Sequence, residues 1–120
     1  MLVYLCLILI AQDPTTWNEV EWARFIAVEM GGKTEVKTPD GSRVDLVVGG
    51  IAYEIDWCTK QKPYKHWQAP SQATFYAIAL NLKPGVILLF DGSPIAQKSY
   101  LRCLVVCSAY GIELKTWKVP

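Results

Sequence analysis

Between Arg43 and Cys58 the chain reads RVDLVVGGIAYEIDWC, two apolar runs joined by Gly49–Gly50. Val, Ile, Leu and aromatic residues dominate both runs, and paired glycines suit a tight turn, so two neighbouring antiparallel strands are predicted. Each strand nevertheless carries acid: Asp45 in the first, Glu54 and Asp56 in the second. An ionised carboxylate inside a buried strand is costly without a partner. Any fold built on this hairpin therefore has to give these acids something to hold.

The flanking sequence supplies the remaining elements. A helix is predicted over "DPTTWNEVEWARFIAVEMGG", with Thr15 or Thr16 as N-cap and Gly31–Gly32 as its end. "KTEVKT" alternates as a half-exposed strand does, and "PDGS" at 39–42 turns it into the Arg43 strand. The polar, proline-broken stretch 59–68 reads as a loop. A second helix is expected from Pro70 to Leu82. "VILLF" at 86–90 reads as a strand covered on both faces. A third helix over 95–109 is capped by Ser93 or Asp91 and stopped by Gly111, and "IELKTWKV" closes the chain as a strand. Helix, three strands, helix, strand, helix, strand is the order of an α/β three-layer arrangement around a mixed sheet.

At 120 residues there is room for one core, and 52% hydrophobic with 19% charged residues marks a folded chain. A net charge of +1 gives no global attraction to polyanions. The basic cluster of Lys60, Lys62, Lys65 and His66 is the one local candidate. Residues 1–12 form an apolar segment set apart from a domain at 13–120. The segment is too short to span a membrane but fits the apolar part of a secretory signal. It lacks a basic start and a small-residue cleavage site, so a buried strand or an anchor stands beside that reading, and localisation, cytoplasmic or exported, turns on it. Cys6, Cys58, Cys103 and Cys107 show no disulfide or zinc spacing; Cys103 and Cys107, at i and i+4, are expected in the core.

Strand alternation puts Glu54 and Asp56 on one face and Tyr53, Ile55 and Trp57 on the other, with Asp45 one strand away. On the first helix, Val20, Ala23, Ile26, Ala27 and Met30 are expected to form an apolar stripe, with Glu19 falling inside it. Carboxylates converging from helix and strands repel unless they are protonated or a cation lies between them. Oxygen ligands of this kind suit Mg²⁺ or Mn²⁺. Taken singly, each acid could equally face solvent.

The ordered string "GGKTEVKTPDGSRVDLV", "AYEIDW", "SQATFYA" and "KPGVILLF" resembles a small single-domain branch of the PD-(D/E)XK nuclease superfamily. The αβββαβ order over residues 15–90 matches as well. The resemblance implies a restriction-endonuclease-like fold with an added C-terminal helix and strand. It also implies a Mg²⁺- or Mn²⁺-dependent nuclease acting on nucleic acid, with DNA the expected polymer and no small-molecule cofactor. Asp45, Glu54 and the Ile55 carbonyl would hold the metal, with Glu19 direct or through water. The superfamily's lysine position is taken here by Asp56, so the lysine is carried to Lys60 or, counting back from the helix glutamine, to Lys65. Gln72 and Tyr76 resemble a Q-x-x-x-Y pair found beside the metal in related exonucleases. A catalytically inactive module of the same fold, binding nucleic acid or a protein partner, is the rival. Trp57, Tyr64 and Trp67 suit base stacking, core packing or a homodimer contact.

Overall fold

A computed structural model describes residues 13–63 and 68–120. The apolar segment 1–12 and the candidates Lys65, Tyr64, His66 and Trp67 lie outside the described residues. A 3₁₀ turn at Pro14–Thr16 precedes helix α1 (Glu19–Met30), followed by β1 (Lys33–Lys37), β2 (Arg43–Val48) and β3 (Ile51–Cys58). Helix α2 (Gln68–Leu80), β4 (Lys83–Phe90), α3 (Pro94–Tyr110) and β5 (Glu113–Lys118) complete the domain. The fold is α/β, and the five strands form one mixed sheet in the order β1-β2-β3-β4-β5. β1, β2 and β3 pair antiparallel; β3, β4 and β5 pair parallel.

This order decides the layering. Two parallel crossovers that step the same way, β3–α2–β4 and β4–α3–β5, put their helices on the same face when both are right-handed. The other face is left for α1. Accordingly Trp22, Ala23 and Ile26 of α1 pack on Tyr53, Ile87 and Leu89. On the opposite face, Ala73 of α2 and Cys103 and Cys107 of α3 pack on Val86 and Leu88. Four consecutive β4 residues, Val86 to Leu89, are fully buried, as expected of a strand covered on both faces. Each such side chain contributes roughly 1.5–3 kcal/mol. Cys103 and Cys107 are core residues as expected, with their sulfurs 3.8 Å apart.

Several boundaries differ from the sequence expectation. Helix α1 is capped by Asn18, not by Thr15 or Thr16. Asn18 Oδ1 accepts from the Glu21 amide at 2.9 Å, and Glu21 Oε1 accepts from the Asn18 amide at 3.1 Å, a reciprocal capping box. The threonines belong to a separate turn capped by Asp13. The apolar stripe is also rotated: Trp22, Ala23, Ile26 and Ala27 are buried, whereas Val20 is 42% exposed. Glu19, at the first helical position, stays in line with that stripe. Pro70 sits inside the first turn of α2, where its missing amide costs no helical bond.

Strand β4 begins three residues earlier than expected, through Pro84 and Gly85. Gly85 is required by close packing, since a Cβ there would lie 2.5 Å from the fully buried Tyr53 ring and 2.7 Å from Ile51 Cγ2. Replacement Gly85→Ala is expected to destabilise the protein by about 1–3 kcal/mol through overpacking. Urea unfolding with an unchanged midpoint would contradict this packing.

Candidate metal centre

The hairpin does not stay paired along its length. β2 and β3 are in register at Val48–Ile51, Val47–Ala52 and Leu46–Tyr53. At Asp45 the pattern changes: Leu46 belongs to the α1-side core, but Val44 packs with Ala52 and Tyr76 on the α2 side. Opposite Asp45 on β1, between the Thr34–Leu46 and Val36–Val44 pairs, Glu35 adopts a left-handed φ of 52°. The sheet is kinked here, and β3 runs on alongside β4 alone.

Separation of the strands leaves β3 amides in need of acceptors, and carboxylates supply them. Asp45 Oδ2 accepts from the Ile55 amide at 2.8 Å, and Asp56 Oδ1 accepts from the Trp57 amide at 2.8 Å. The N–H and C=O of one strand residue project to the same side, so the Ile55 carbonyl lies along this same opened edge. Among the described residues Glu54 engages no amide in this way, and its Oε2 is buried without a hydrogen-bond partner.

Four carboxyl groups act on one another around this opening. Burial, then Asp45, Asp56 and Glu19, push Glu54 up to about 9. Burial, then Asp56 and Asp45, push Glu19 up to about 7. Asp45 is raised by burial against the pull of the Ile55 amide, and Asp56 is raised by burial. Asp45 and Glu54 are close enough to share a hydrogen bond, which two ionised carboxylates cannot do. Two unit charges some 4 Å apart repel by roughly 4 kcal/mol at an effective dielectric of about 20. Among the described residues, no three acidic, histidine or cysteine side chains are placed so that they could together hold a metal ion. The arrangement is an electrostatic cluster.

Of the residues singled out from sequence, Glu19, Asp45, Glu54 and Asp56 come together here. Tyr76 is buried beside them, its hydroxyl raised by burial and by Glu54 and Asp45, while Gln72 one turn earlier is exposed. Lys60 is exposed in the loop after β3, its amide donating to Asp91 Oδ2 at 2.9 Å. The cation that bears on the cluster is Lys62, which favours the ionised form of Glu19 and whose Nζ stands 4.4 Å from the Trp57 ring centroid. Lys62 is held there by a tight turn: its amide donates to Thr59 Oγ1 at 3.0 Å, and its carbonyl accepts from the Thr59 amide at 3.1 Å. Counting along a motif cannot find this lysine. Its signal is the neighbouring Trp57 and the spacing of Thr59 to Lys62.

By chemistry alone, the Asp45 and Glu54 carboxylates and the Ile55 carbonyl, with Glu19 nearby, are oxygen donors of the type a hard divalent cation takes. The orphaned Glu54 Oε2 is the feature of the cluster that hydrogen bonding among the described residues leaves unexplained. A second cleft of about 420 Å³, lined by Pro70, Ser71, Thr74, Val106, Tyr110 and Ile112, offers no charged side chain and so no comparable chemistry. No family model, curated protein or solved structure matches the chain.

The raised carboxyls fix the sign of the pH dependence. A group whose pKa is higher folded than unfolded stabilises the fold below its unfolded value and loses that contribution as pH rises through its folded value. Without divalent cations, the melting temperature is expected to fall from about pH 5 to about pH 9, through the folded values of Glu19 (about 7) and Glu54 (about 9). Glu54→Gln is expected to flatten that fall, and Mn²⁺ to raise the wild-type melting temperature most at the alkaline end. Thermal melts across this range in EDTA, with parallel fall in parent and variant, would contradict the clustering.

Proposed function

We propose that the protein is a metal-dependent nuclease, hydrolysing phosphodiester bonds of nucleic acid, with DNA expected from the sequence resemblance. The observation that carries this reading is the meeting of Glu19, Asp45, Glu54 and Asp56 at the parting of β2 and β3, with one buried glutamate oxygen unpartnered.

Asp45, Glu54 and the Ile55 carbonyl would hold Mg²⁺ or Mn²⁺, with Glu19 contributing directly or through water. Such a cation, when bound, acidifies a coordinated water and offsets charge developing on the phosphate. The chain's own residues do the positioning. One Asp45 oxygen is engaged by the Ile55 amide, which fixes the carboxylate and leaves the other oxygen for a ligand. Asp56, turned back onto the Trp57 amide, adds negative potential from a fixed place. Tyr76, buried on the α2 side, stands near Glu54 and Asp45. Lys62, which acts on Glu19 and stands against the Trp57 ring, would orient the attacking water or meet a phosphate oxygen. Lys60, the lysine carried over from the family pattern, lies two residues away on the same loop.

The rival reading, an inactive module of the same fold, draws on Asp56 standing where the superfamily places lysine. The two readings separate in one set of assays. Single-stranded, duplex and branched DNA are incubated with Mg²⁺ or Mn²⁺, and Mn²⁺ binding is measured by titration calorimetry. Asp45→Ala and Glu54→Ala are expected to lose metal affinity and to cut activity more than about 100-fold, beyond the range typical of outer ligand-supporting residues. Lys62→Ala is expected to lower turnover more than Lys60→Ala. Cleavage by Glu54→Ala equal to the parent would end the nuclease reading, and Mn²⁺ binding without cleavage would favour the inactive module.

A further inference from the structure

Beside the acids lies a cleft of about 520 Å³ whose walls have a different character. Two tryptophans, Trp17 and Trp57, two lysines, Lys60 and Lys62, and the hydroxyl-bearing Thr15, Thr16 and Thr59 line it, together with Asp91. Its volume falls in the range of sites that enclose one small ligand. Lys62 joins cleft and acid cluster, since it borders the one and acts on Glu19 in the other.

The cleft floor is built from fixed parts. Asp91, at the end of β4, is occupied by backbone amides: Oδ2 accepts from Lys60 at 2.9 Å and Oδ1 from Ser93 at 2.9 Å. Its charge is therefore committed to holding the loop, and the two ammonium groups are left to set the sign of the cleft. Trp17 is 6% exposed, and its indole N–H is buried with no acceptor among the described residues. Trp57 is half-buried, with the Lys62 ammonium over its ring.

Aromatic side chains and long-armed cations around a space for one small ligand suit a nucleotide, with its flat base and anionic phosphate. We infer that this cleft holds one unpaired nucleotide of the strand being cut, its base against Trp57 and its phosphate between Lys60 and Lys62. Stacking of the base displaces the Lys62 ammonium from the ring onto the phosphate, exchanging a cation–π contact for an ion pair. A base held within a duplex is already stacked and paired and cannot enter. The substrate class is therefore a single strand, or a duplex with an unpaired end. This inference rests on the nuclease reading for the identity of its ligand, but its test does not depend on cleavage.

The full chain is titrated in EDTA, where no divalent cation supports hydrolysis, into a fluorescein-labelled oligothymidylate and into a blunt duplex of equal length, followed by anisotropy. The single strand is expected to bind at least about tenfold tighter than the duplex. Trp57→Leu, which keeps an apolar side chain toward the core, is expected to weaken it by about tenfold or more. Lys60→Ala is expected to weaken it less and to reduce the slope of log affinity against log salt by about 0.7. Lys60 is exposed, so this variant reports even if the tryptophan variant does not fold. Equal affinity for single strand and duplex, or unchanged affinity and slope in Lys60→Ala, would overturn the inference. If the parent cleaves DNA but binding ignores Trp57 and Lys60, the cleft assignment falls and the nuclease reading stands. If binding follows both residues and no divalent cation brings cleavage, the cleft assignment stands and the nuclease reading falls.

Discussion

The strand acids of the candidate site are arranged by one break in pairing, the parting of β2 from β3 beyond Leu46 and Tyr53. A strand that loses its neighbour keeps its amides, and each amide left buried without an acceptor costs about 1–3 kcal/mol. Asp45 and Asp56 meet that cost at Ile55 and Trp57. The same solution crowds two carboxylates around Glu54, which has no amide to hold. The third acid is thus made unfavourable by the arrangement that makes the first two favourable. Local strand chemistry accounts for Asp45 and Asp56; it does not account for Glu54.

Other parts of the site arrive by separate local devices that converge on the same region. The Asn18–Glu21 capping box starts α1 one residue before Glu19 and so fixes where that acid enters. The Thr59–Lys62 turn, tied to Asp91, seats Lys62 against Trp57. Lys60 and Lys62 follow β3, and Asp91 follows β4, so the loop and its anchor stand at the carboxyl ends of two adjacent parallel strands. Open α/β sheets place ligands at that end because the loops there can vary without disturbing the packed strands.

Legible in the residues alone are the element order and the convergence of acids. Period-two alternation, paired glycines and the apolar run at 86–90 are local signals, and each survives in the folded chain. Asn18 is masked as a cap by the two threonines that precede it, and the choice is decided by Glu21, which bonds back to it. The expected stripe through Val20 is displaced because Trp22, a larger group than Val20, claims the core-facing side. The kink at Asp45 has no sequence signal of its own: Glu35, in left-handed geometry opposite it, is not a residue type that announces a turn. The role of Lys62 is equally hidden, because it rests on a contact between a loop and a strand side chain rather than on spacing within a motif.

The charges at the two halves of the site set what kind of substrate the proposed function can use. Paired carboxyls of raised pKa also occur where a general acid works on an uncharged substrate, as in glycoside cleavage. Such a substrate gains nothing from a neighbouring cleft lined by Lys60 and Lys62. A phosphodiester gains from the lysines but is repelled by Glu19, Asp45, Glu54 and Asp56 when these are ionised. Under the proposed function the cleft lysines offset part of that repulsion, and protonation of the raised carboxyls brings the cluster no further than neutral. A divalent cation held by the acids would offset more of their charge close to where the phosphate would lie. Under that proposal the unpartnered Glu54 oxygen and the lysines of the cleft, though separate observations, would serve one anionic substrate.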